Sequence, residues 1–334
     1  MSFPLPLLHE LESAATLVHA VMPPTAQYCW PLLSARAGAE VWVKHENHTP
    51  IGAFKVRGGI VYLDHLRRTQ PDVIGVVTAT RGNHGQSIGL AARRHGLHAV
   101  VVVPHGNSVE KNAAMRALGV ELIERGHDFQ ASLEAAQEIA AERNWPFVPA
   151  FHPLLLRGVG TYALELFRAV ADLDTVFVPI GLGSGICGTI AARDALGLRT
   201  KVVGVVSDAA PAYALSFAAG HPVSREVSTQ IADGMACRTP VPEALEIIRS
   251  GADRVVQVSD VEVEAAMRAL FTDTHNVAEG AGAAALAALL ASGDAMRGKR
   301  VAVVMSGGNV DRDVFTRVLS GATRSTAGEV DTPH

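Results

Sequence analysis

Short runs of β-branched residues alternate with amphipathic helical patterns along most of this chain. Alternating apolar residues predict strands, whereas apolar residues three or four positions apart predict helices. A strand followed by a helix, repeated many times, predicts parallel βαβ units and therefore doubly wound open sheets of the α/β class. The predicted strand and helix pairs are 73–77 with 83–95, 99–103 with 109–118, 120–123 with 129–143, 175–179 with 185–196, 254–258 with 261–272, and 300–305 with 310–319, and a further strand is predicted at 201–206.

Polar residues and prolines interrupt the pattern near residues 68–71 and 144–146. Such interruptions are typical of domain boundaries, so the block between them is expected to be a smaller inserted domain. Near the end of the chain the residues are mostly small or polar, which predicts a loose terminus. The expected division is a large domain of residues 1–69 and 147–320, a small domain of residues 70–146, and a flexible tail of residues 321–334.

The overall composition excludes several classes of function. With 334 residues, of which 48% are hydrophobic, the chain is long enough to bury a large core. Its formal charge of -4 leaves no basic excess for phosphates, so nucleic acid is not an expected partner. Three widely spaced cysteines predict neither a disulfide framework nor a metal site. Without a signal sequence or a membrane-spanning run, a cytoplasmic protein is expected.

Lys55 is the residue with the clearest chemical meaning. It stands among small and apolar residues in the segment 52–59. Burial disfavours an ammonium group and lowers its pKa, so a buried lysine can act as a nucleophile and base in carbonyl chemistry. The alternative is a surface lysine that opens a helix, and this segment alone favours that alternative.

A glycine-punctuated turn at residues 78–86 follows one predicted strand and opens a helix near Ser87. Backbone N–H groups at such a turn, together with the Thr80 hydroxyl and the Asn83 amide, predict a site for a carboxylate. The alternative is that Asn83 is an ordinary N-cap and that the glycines serve the turn.

A second glycine-rich turn, at residues 181–188, also joins a strand to a helix. Glycines allow close backbone approach and the helix dipole favours a dianion, so the turn predicts a phosphate site, although such turns also serve dinucleotides or tight packing. Ser306 ends the predicted strand 300–305, where ligands bind in open α/β sheets, and its hydroxyl could bond a ring nitrogen. The alternative for Ser306 is an N-cap of the last helix.

Taken together, these segments resemble the fold-type II pyridoxal-phosphate enzymes, specifically the threonine dehydratase and serine racemase branch. The resemblance covers most of the chain. It implies two doubly wound open sheets with the active site between a large and a small domain. The segments that carry it are Gly-Ala-Phe-Lys-Val-Arg-Gly at 52–58, Gly-Asn-His-Gly-Gln at 82–86, the glycine loop at 181–185, Ile-Ala-Asp-Gly at 231–234 and Ser-Gly-Gly-Asn at 306–309.

The resemblance also implies a cofactor, pyridoxal 5'-phosphate, and a role for each matching residue. Lys55 would carry the cofactor as a Schiff base and would later move the Cα proton of the substrate. Glu279 matches a family glutamate near the cofactor, although it is also a plain first-turn acid. The implied cofactor-binding residues are Phe54 on the ring, Lys55, Asn83 at the phenolic oxygen, Gly181, Leu182, Gly183, Ser184 and Gly185 at the phosphate, Glu279, and Ser306 at the pyridine nitrogen. The implied substrate-binding residues are Thr80, Arg81, Gly82, Asn83, His84 and Gly234, and no metal ligand is expected.

The function that the resemblance implies is a dehydratase, an ammonia-lyase that converts a β-hydroxy amino acid such as threonine, serine or phenylserine into a 2-oxo acid and ammonia. Ile51 and Ala53 replace polar family residues beside Lys55, so we expect a preference for a methyl or aryl β-substituent over serine. Arg81 replaces a serine of the racemase branch; it is either a solvated turn residue or a clamp for an anion. The alternatives are a hydroxyaspartate ammonia-lyase, an amino-acid racemase and a non-catalytic amino-acid-binding module. A homodimer is a family expectation.

Overall fold

The computed structural model describes residues 4–321, so all but the first residue of the predicted tail at 321–334 lies outside the described residues. Within this range the chain alternates between strands and helices, as the α/β pattern predicted. The strands are β1 (Gln27–Cys29), β2 (Glu40–His45), β3 (Gly75–Ala79), β4 (His98–Val103), β5 (Glu121–Glu124), β6 (Thr175–Pro179), β7 (Lys201–Ser207), β8 (Arg254–Val258) and β9 (Arg300–Met305).

The helices connect the strands and cover the sheets. Three short 3-10 turns lie at Glu46–His48, Asp233–Met235 and Gly293–Met296. The α-helices are α1 (Leu8–His19), α2 (Pro31–Ala37), α3 (Lys55–Thr69), α4 (Asn83–Arg94), α5 (Val109–Ala117), α6 (Phe129–Arg143), α7 (Pro153–Ala169), α8 (Ser184–Ala195), α9 (Ala212–Ala219), α10 (Pro242–Gly251), α11 (Asp260–Thr274), α12 (Gly280–Ala291) and α13 (Arg312–Ser320).

The larger sheet has six strands in the order β1-β2-β9-β6-β7-β8. All its neighbours are parallel except the edge pair β1 and β2, which is antiparallel. One face packs against α11 and α12, and the other packs against α7, α8 and α10. Because both faces are covered, the central strands are nearly continuous apolar runs, as in residues 301–305 of β9.

The smaller sheet has three parallel strands in the order β3-β4-β5. Ile88 and Ala91 of α4 pack on one face, and Ala136 and Ile139 of α6 pack on the other. All three strands fall within residues 70–146, the range expected for a small domain. The exact domain boundaries stay a prediction.

The fold class is confirmed, but several local expectations differ from the structure. The helix between β1 and β2 is too short to give a βαβ pattern. The sequence therefore did not predict these two strands or their antiparallel pairing. The strand expected at 73–77 is Gly75–Ala79, because Val73 closes a turn onto the Gln70 carbonyl. The helix predicted at 83–95 is Asn83–Arg94, so it begins where the helical pattern placed it and four residues before the start near Ser87 that the glycine turn suggested. None of the helices in residues 4–321 combines the length and the apolar character needed to cross a bilayer.

Candidate active site

Lys55 is the first residue of α3, and Phe54 immediately precedes it. The Phe54 N–H donates to the Ser306 carbonyl oxygen at 3.0 Å, which ties the start of α3 to the end of β9. The Lys55 Nζ lies 4.9 Å from the centroid of the Phe54 ring. Burial lowers the pKa of Lys55 to about 8, although the nearby Glu279 carboxylate acts in the opposite direction. The neutral fraction of Lys55 near physiological pH is therefore much larger than that of an ordinary lysine, as a nucleophilic lysine requires.

Arg57, on the same helix as Lys55, is fully buried and anchors that helix to the neighbouring elements. Its guanidinium donates to Glu46 at 2.7 Å and 3.0 Å, to Glu165 at 2.6 Å and 2.9 Å, and to the Thr161 hydroxyl at 3.0 Å. Lys44, also fully buried, donates to Glu165 at 2.6 Å. Two buried cations are thus matched by two carboxylates, as a buried ionic cluster requires.

The asparagine loop connects β3 to α4 and lies at the carboxyl end of the smaller sheet. Thr80 is buried; its N–H donates to the Val102 carbonyl, and its hydroxyl accepts the Gly82 N–H at 2.9 Å. The N–H groups of Asn83 and His84 belong to the first turn of α4, where intrahelical partners are lacking. This turn therefore offers the N–H groups of Asn83 and His84 to an anion, whereas the N–H of Gly82 is already bonded to Thr80.

The side-chain amide of Asn83 is held in one orientation. Its Nδ2 donates to Glu279 Oε1 at 2.6 Å, and its Oδ1 accepts from Asn309 Nδ2 at 2.8 Å. Asn309 Nδ2 also donates to the Ile51 carbonyl at 2.8 Å. An amide nitrogen has two N–H groups, so one N–H of Asn83 remains for a ligand. Asn83 makes no side-chain cap of α4, whose N-cap is Gly82.

Glu279 is the N-cap residue of α12 and is buried. Burial raises its pKa, whereas Lys111 lowers it and Asp233 raises it further. The Lys111 Nζ lies 3.5 Å from Glu279 Oε2 and 2.7 Å from Asp233 Oδ2. Glu279 Oε2 has no hydrogen-bond donor among the described residues. Glu279 is therefore more than a first-turn acid, because it joins Asn83 to a buried charge cluster.

The glycine loop at residues 181–185 follows β6 and opens α8. A Cβ on Gly181 would collide with the Gly234 carbonyl oxygen. Gly183 has a φ of +101°, which residues with a side chain rarely adopt. A Cβ on Gly185 would lie 3.6 Å from the Phe54 ring. The loop is thus a narrow backbone cradle beside Phe54, with the first-turn N–H groups of α8 available for an anion.

Ser306 is buried where β9 ends in the middle of the larger sheet. A Cβ on the next residue, Gly307, would strike Glu279 Oε1, so the serine turn also lies against Glu279. The N-cap of the last helix, α13, is Asp311. Ser306 therefore does not have the capping role that the sequence left open.

Three expected substrate-binding residues differ in their surroundings. Arg81 is exposed and makes no hydrogen bond or ion pair with another of the residues 4–321, so its role stays a prediction. His84 is buried, and burial, together with the positive charge of Lys55, lowers its pKa to about 3, so the imidazole is neutral. Gly234 is exposed beside Gly181 at the rim of the cradle.

Ile51 does not line the site in the way that its position beside Lys55 suggested. Its side chain packs in a cluster with Ala14, Val18 and Val56. Ala53 is fully buried and pairs with Gly307 in an isolated bridge. Of the two apolar replacements, only Ala53 therefore lies against the turn that follows β9.

Two site residues were assigned no role from the sequence. Asn309 lies in the serine turn and holds the Asn83 amide; its place three residues after Ser306 was the available signal. Lys111 lies on α5, four residues before the buried Met115 and so on the same helical face. That spacing is the only sequence signal that Lys111 points inward.

The site has groups that suit each part of a phosphorylated pyridine aldehyde. The glycine loop suits the phosphate, Lys55 suits the aldehyde, and the remaining N–H of Asn83 suits an oxygen on the ring. A side chain at Gly181 or Gly183 would collide with Gly234 or Ala244, so these positions present only backbone, which suits close approach to a phosphate. Phe54 offers a ring face, and Ser306 offers a hydroxyl at the carboxyl end of a central strand. The residues present therefore fit pyridoxal phosphate.

Comparison with known proteins agrees with this fit. The family described as pyridoxal-phosphate dependent enzyme matches residues 23–307. Since the match spans most of the chain, the chain belongs to this family, and its cofactor is pyridoxal phosphate. The expected cofactor, fold and enzyme class are confirmed.

The most similar relatives include an L-threonine ammonia-lyase of Thermotoga maritima. It is 33% identical over 314 residues, which are 94% of this chain and 78% of that protein. A biosynthetic L-threonine dehydratase of Haemophilus influenzae is 34% identical over 308 residues, 90% of this chain and 60% of that protein. The chain thus spans less than two thirds of the second relative.

Solved structures show the same architecture. A processed threonine deaminase isoform of Solanum lycopersicum is 26% identical with a TM-score of 0.85, covering 96% of this chain and 95% of that one. Maize serine racemase is 25% identical with a TM-score of 0.88, covering 95% of this chain and 98% of that one.

Proposed function

We propose that this protein is a pyridoxal-phosphate dependent L-threonine ammonia-lyase that forms a 2-oxo acid and ammonia. The observation that carries the proposal is Lys55, whose pKa is lowered to about 8 where the glycine cradle, the asparagine loop and the serine turn meet. The names of the relatives from Thermotoga maritima and Haemophilus influenzae support threonine as the substrate.

The division of labour follows from the side chains in place. Bound pyridoxal phosphate supplies an aldehyde that captures the substrate amino group and a ring that withdraws electrons from its Cα. The first turn of α4, with the N–H groups of Asn83 and His84, binds the substrate carboxylate. The neutral Lys55 Nζ takes the Cα proton and the β-hydroxyl leaves as hydroxide, so the two departures together amount to the loss of one water.

The surrounding residues keep this chemistry in place. The remaining N–H of Asn83 would hold the phenolic oxygen of the cofactor, and the first turn of α8 would hold its phosphate. Ser306 would meet the ring nitrogen with a hydroxyl, which would not force protonation of the ring. A ring that withdraws fewer electrons favours rapid loss of a β-substituent over side reactions.

The test is turnover of L-threonine by the holoenzyme, read out as ammonia and 2-oxobutanoate. Lys55→Ala should abolish product and the visible absorption band of the bound cofactor. Lys201→Ala is the matched control, because Lys201 is exposed on β7 and pairs with Asp253 at 3.4 Å. An unchanged spectrum in Lys55→Ala would rule the assignment out, and no 2-oxo acid from any amino acid would favour the non-catalytic module.

A substrate panel decides between the finer alternatives. Ala53 supports a preference for threonine or phenylserine over serine, so equal catalytic efficiency on serine would contradict that preference. Hydroxyaspartate remains the second candidate because Arg81 is exposed and free to bind a distal carboxylate. Arg81→Ala would then lower turnover of hydroxyaspartate and leave threonine unaffected. Chiral analysis of recovered substrate detects racemisation.

We propose, further, that the enzyme acts as a homodimer in the cytoplasm. The resemblance to the threonine dehydratase and serine racemase branch supports the first statement, and the second is the expectation drawn from the sequence. Sedimentation analysis of the holoenzyme at several concentrations tests the first, and fractionation of the producing cells tests the second.

A further inference from the structure

Lys111 bridges the two sheets next to the cofactor site. It lies on α5, which belongs to the smaller-sheet side, yet its ammonium pairs with Asp233 at 2.7 Å and approaches Glu279 at 3.5 Å. Both carboxylates belong to segments packed on the larger sheet. Lys111 is 8% exposed, so this cation points into the molecule.

The burial of Lys111 carries a cost that the two carboxylates offset. Burial lowers the pKa of Lys111, but Glu279 and Asp233 outweigh it and hold that pKa above its ordinary value. The other basic residue of the same helix, Arg116, is exposed and pairs with Glu124 at 3.4 Å. A lysine buried between two carboxylates is expected to influence the protonation of at least one of them.

Glu279 transmits this charge to the cofactor site. One of its oxygens, Oε1, accepts the Asn83 amide at 2.6 Å, and the other faces Lys111. The alkyl chain of Lys111 also lies against the asparagine loop, since a Cβ on Gly82 would lie 2.6 Å from its Cδ. Lys111 therefore contacts both the loop that carries Asn83 and the carboxylate that orients it.

We propose that Lys111 is a positioning residue, whose ammonium keeps Glu279 as a fixed carboxylate and, through it, aims the Asn83 amide at the cofactor. The inference rests on the proposed function only in that Asn83 meets the bound cofactor. Lys111 itself touches neither cofactor nor substrate in this scheme.

The charged groups that act on Glu279 come from three elements. They are Lys111 on α5, Asp233 in the 3-10 turn, and Lys55 on α3. Lys111 lowers the pKa of Glu279, whereas Asp233 raises it. Replacing Lys111 by an uncharged residue therefore moves protonation of Glu279 to higher pH, and replacing Asp233 moves it to lower pH. A protonated Glu279 accepts the Asn83 N–H more weakly.

The experiment measures the dissociation constant of pyridoxal phosphate and the visible absorption of the bound cofactor from about pH 6 to about pH 9. Lys111→Met should weaken binding about tenfold or more and shift the acid limb of binding to higher pH. Asp233→Asn should shift that limb to lower pH, and Lys111→Arg should restore wild-type behaviour in part. Arg116→Met is the matched control on the same helix and should leave both readouts unchanged.

Two results would overturn the proposal. One is a Lys111→Met protein with a lower unfolding midpoint but with wild-type cofactor affinity and pH dependence, which is the result of a purely structural ion pair. The other is an Asp233→Asn protein whose acid limb moves in the same direction as that of Lys111→Met. If Lys111→Met does not fold, the direction of the Asp233→Asn shift decides alone. Threonine turnover is measured separately, so an inactive wild type would refute the function and leave this test intact.

Discussion

The side-chain nitrogen of Asn309 donates hydrogen bonds to two acceptors, the Asn83 side-chain oxygen and the Ile51 carbonyl oxygen, each at 2.8 Å. This contact settles which end of the Asn83 amide is oxygen, because only an acceptor can face that N–H. The nitrogen of Asn83 consequently faces Glu279 and the cofactor site. The orientation of the amide is thus set from both ends, by a donor on one side and a carboxylate on the other.

Replacing Asn309 should therefore disturb the cofactor site in a graded way. In Asn309→Ala the Asn83 oxygen loses its donor, and we expect cofactor affinity to fall severalfold. In Asn309→Asp a carboxylate would face two oxygens, those of Asn83 and Ile51, so the loss should be larger. Titration of the two apoproteins with pyridoxal phosphate measures both. Equal affinities for the Ala and Asp variants would mean that Asn309 does not orient the amide.

The sequence predicted the parts of this site that lie at strand ends. Each loop follows a parallel strand, and the carboxyl ends of such strands meet at one edge of a sheet. The asparagine loop, the glycine loop and Ser306 were found for that reason. The start of α4 at Asn83 was predicted by the helical pattern over residues 83–95, although no side-chain cap marks it.

The connections between those parts could not be predicted from the sequence. Glu279 lies 196 residues from Asn83, and Asp233 lies 122 residues from Lys111, so local patterns contain no information about either pair. Ile51 shows the same limit. It lies close to Lys55 in sequence, but its side chain packs against Ala14 and Val18 of α1. Only the tertiary structure separates these cases.

The lowered pKa of Lys55 predicts how the apoprotein takes up its cofactor. Only the neutral amine attacks an aldehyde, so the rate of uptake should rise with pH and level off above about pH 8. Between about pH 8 and pH 9 the rate should rise less than about twofold, whereas a lysine with an ordinary pKa would give about tenfold. Stopped-flow absorbance measures the rate.

Glu279 supplies the control for this uptake experiment. Its carboxylate raises the pKa of Lys55, so in Glu279→Gln the amine should lose its proton at lower pH and the plateau should begin earlier. A plateau that begins later in Glu279→Gln would contradict the assigned direction of the interaction.

Gly183 should be required for both local conformation and the phosphate cradle. It is the N-cap of α8 with a φ of +101°, and an added Cβ would lie 2.7 Å from the Ala244 Cβ, which cannot rotate away. Gly183→Ala should therefore destabilise the protein by about 1–3 kcal/mol and also weaken cofactor binding. Urea unfolding and cofactor titration measure the two effects.

Gly197, just beyond the other end of α8, is the matched control for Gly183. Its φ is +65°, and an added Cβ would meet nothing within 4 Å. Gly197→Ala should lower stability by about 1 kcal/mol through backbone strain alone and leave cofactor affinity unchanged. If both variants bind the cofactor as wild type does, the glycine loop is not the phosphate site.

The buried cluster around Arg57 should dominate the stability of the helix that carries Lys55. Removing the guanidinium leaves Glu46 and part of Glu165 buried without their partner, so Arg57→Met should lower the free energy of unfolding by about 3–5 kcal/mol. Arg68→Met changes an exposed cation on the same helix, paired with Asp64 at 2.9 Å, and should cost no more than about 1 kcal/mol. Urea unfolding of the apoproteins measures both values.

The pH dependence of that difference provides a further check. Burial alone would raise the pKa of Glu165, but the attraction of the Arg57 guanidinium is the stronger effect and lowers that pKa to about 2. Because the folded pKa lies below the unfolded one, the stability that the pair contributes is complete above about pH 5 and declines as the pH falls towards about 2. The gap between wild type and Arg57→Met should therefore be constant from about pH 6 to pH 8 and narrow in acid. A gap that instead widened in acid would show that the Glu165 carboxylate is not stabilised by Arg57.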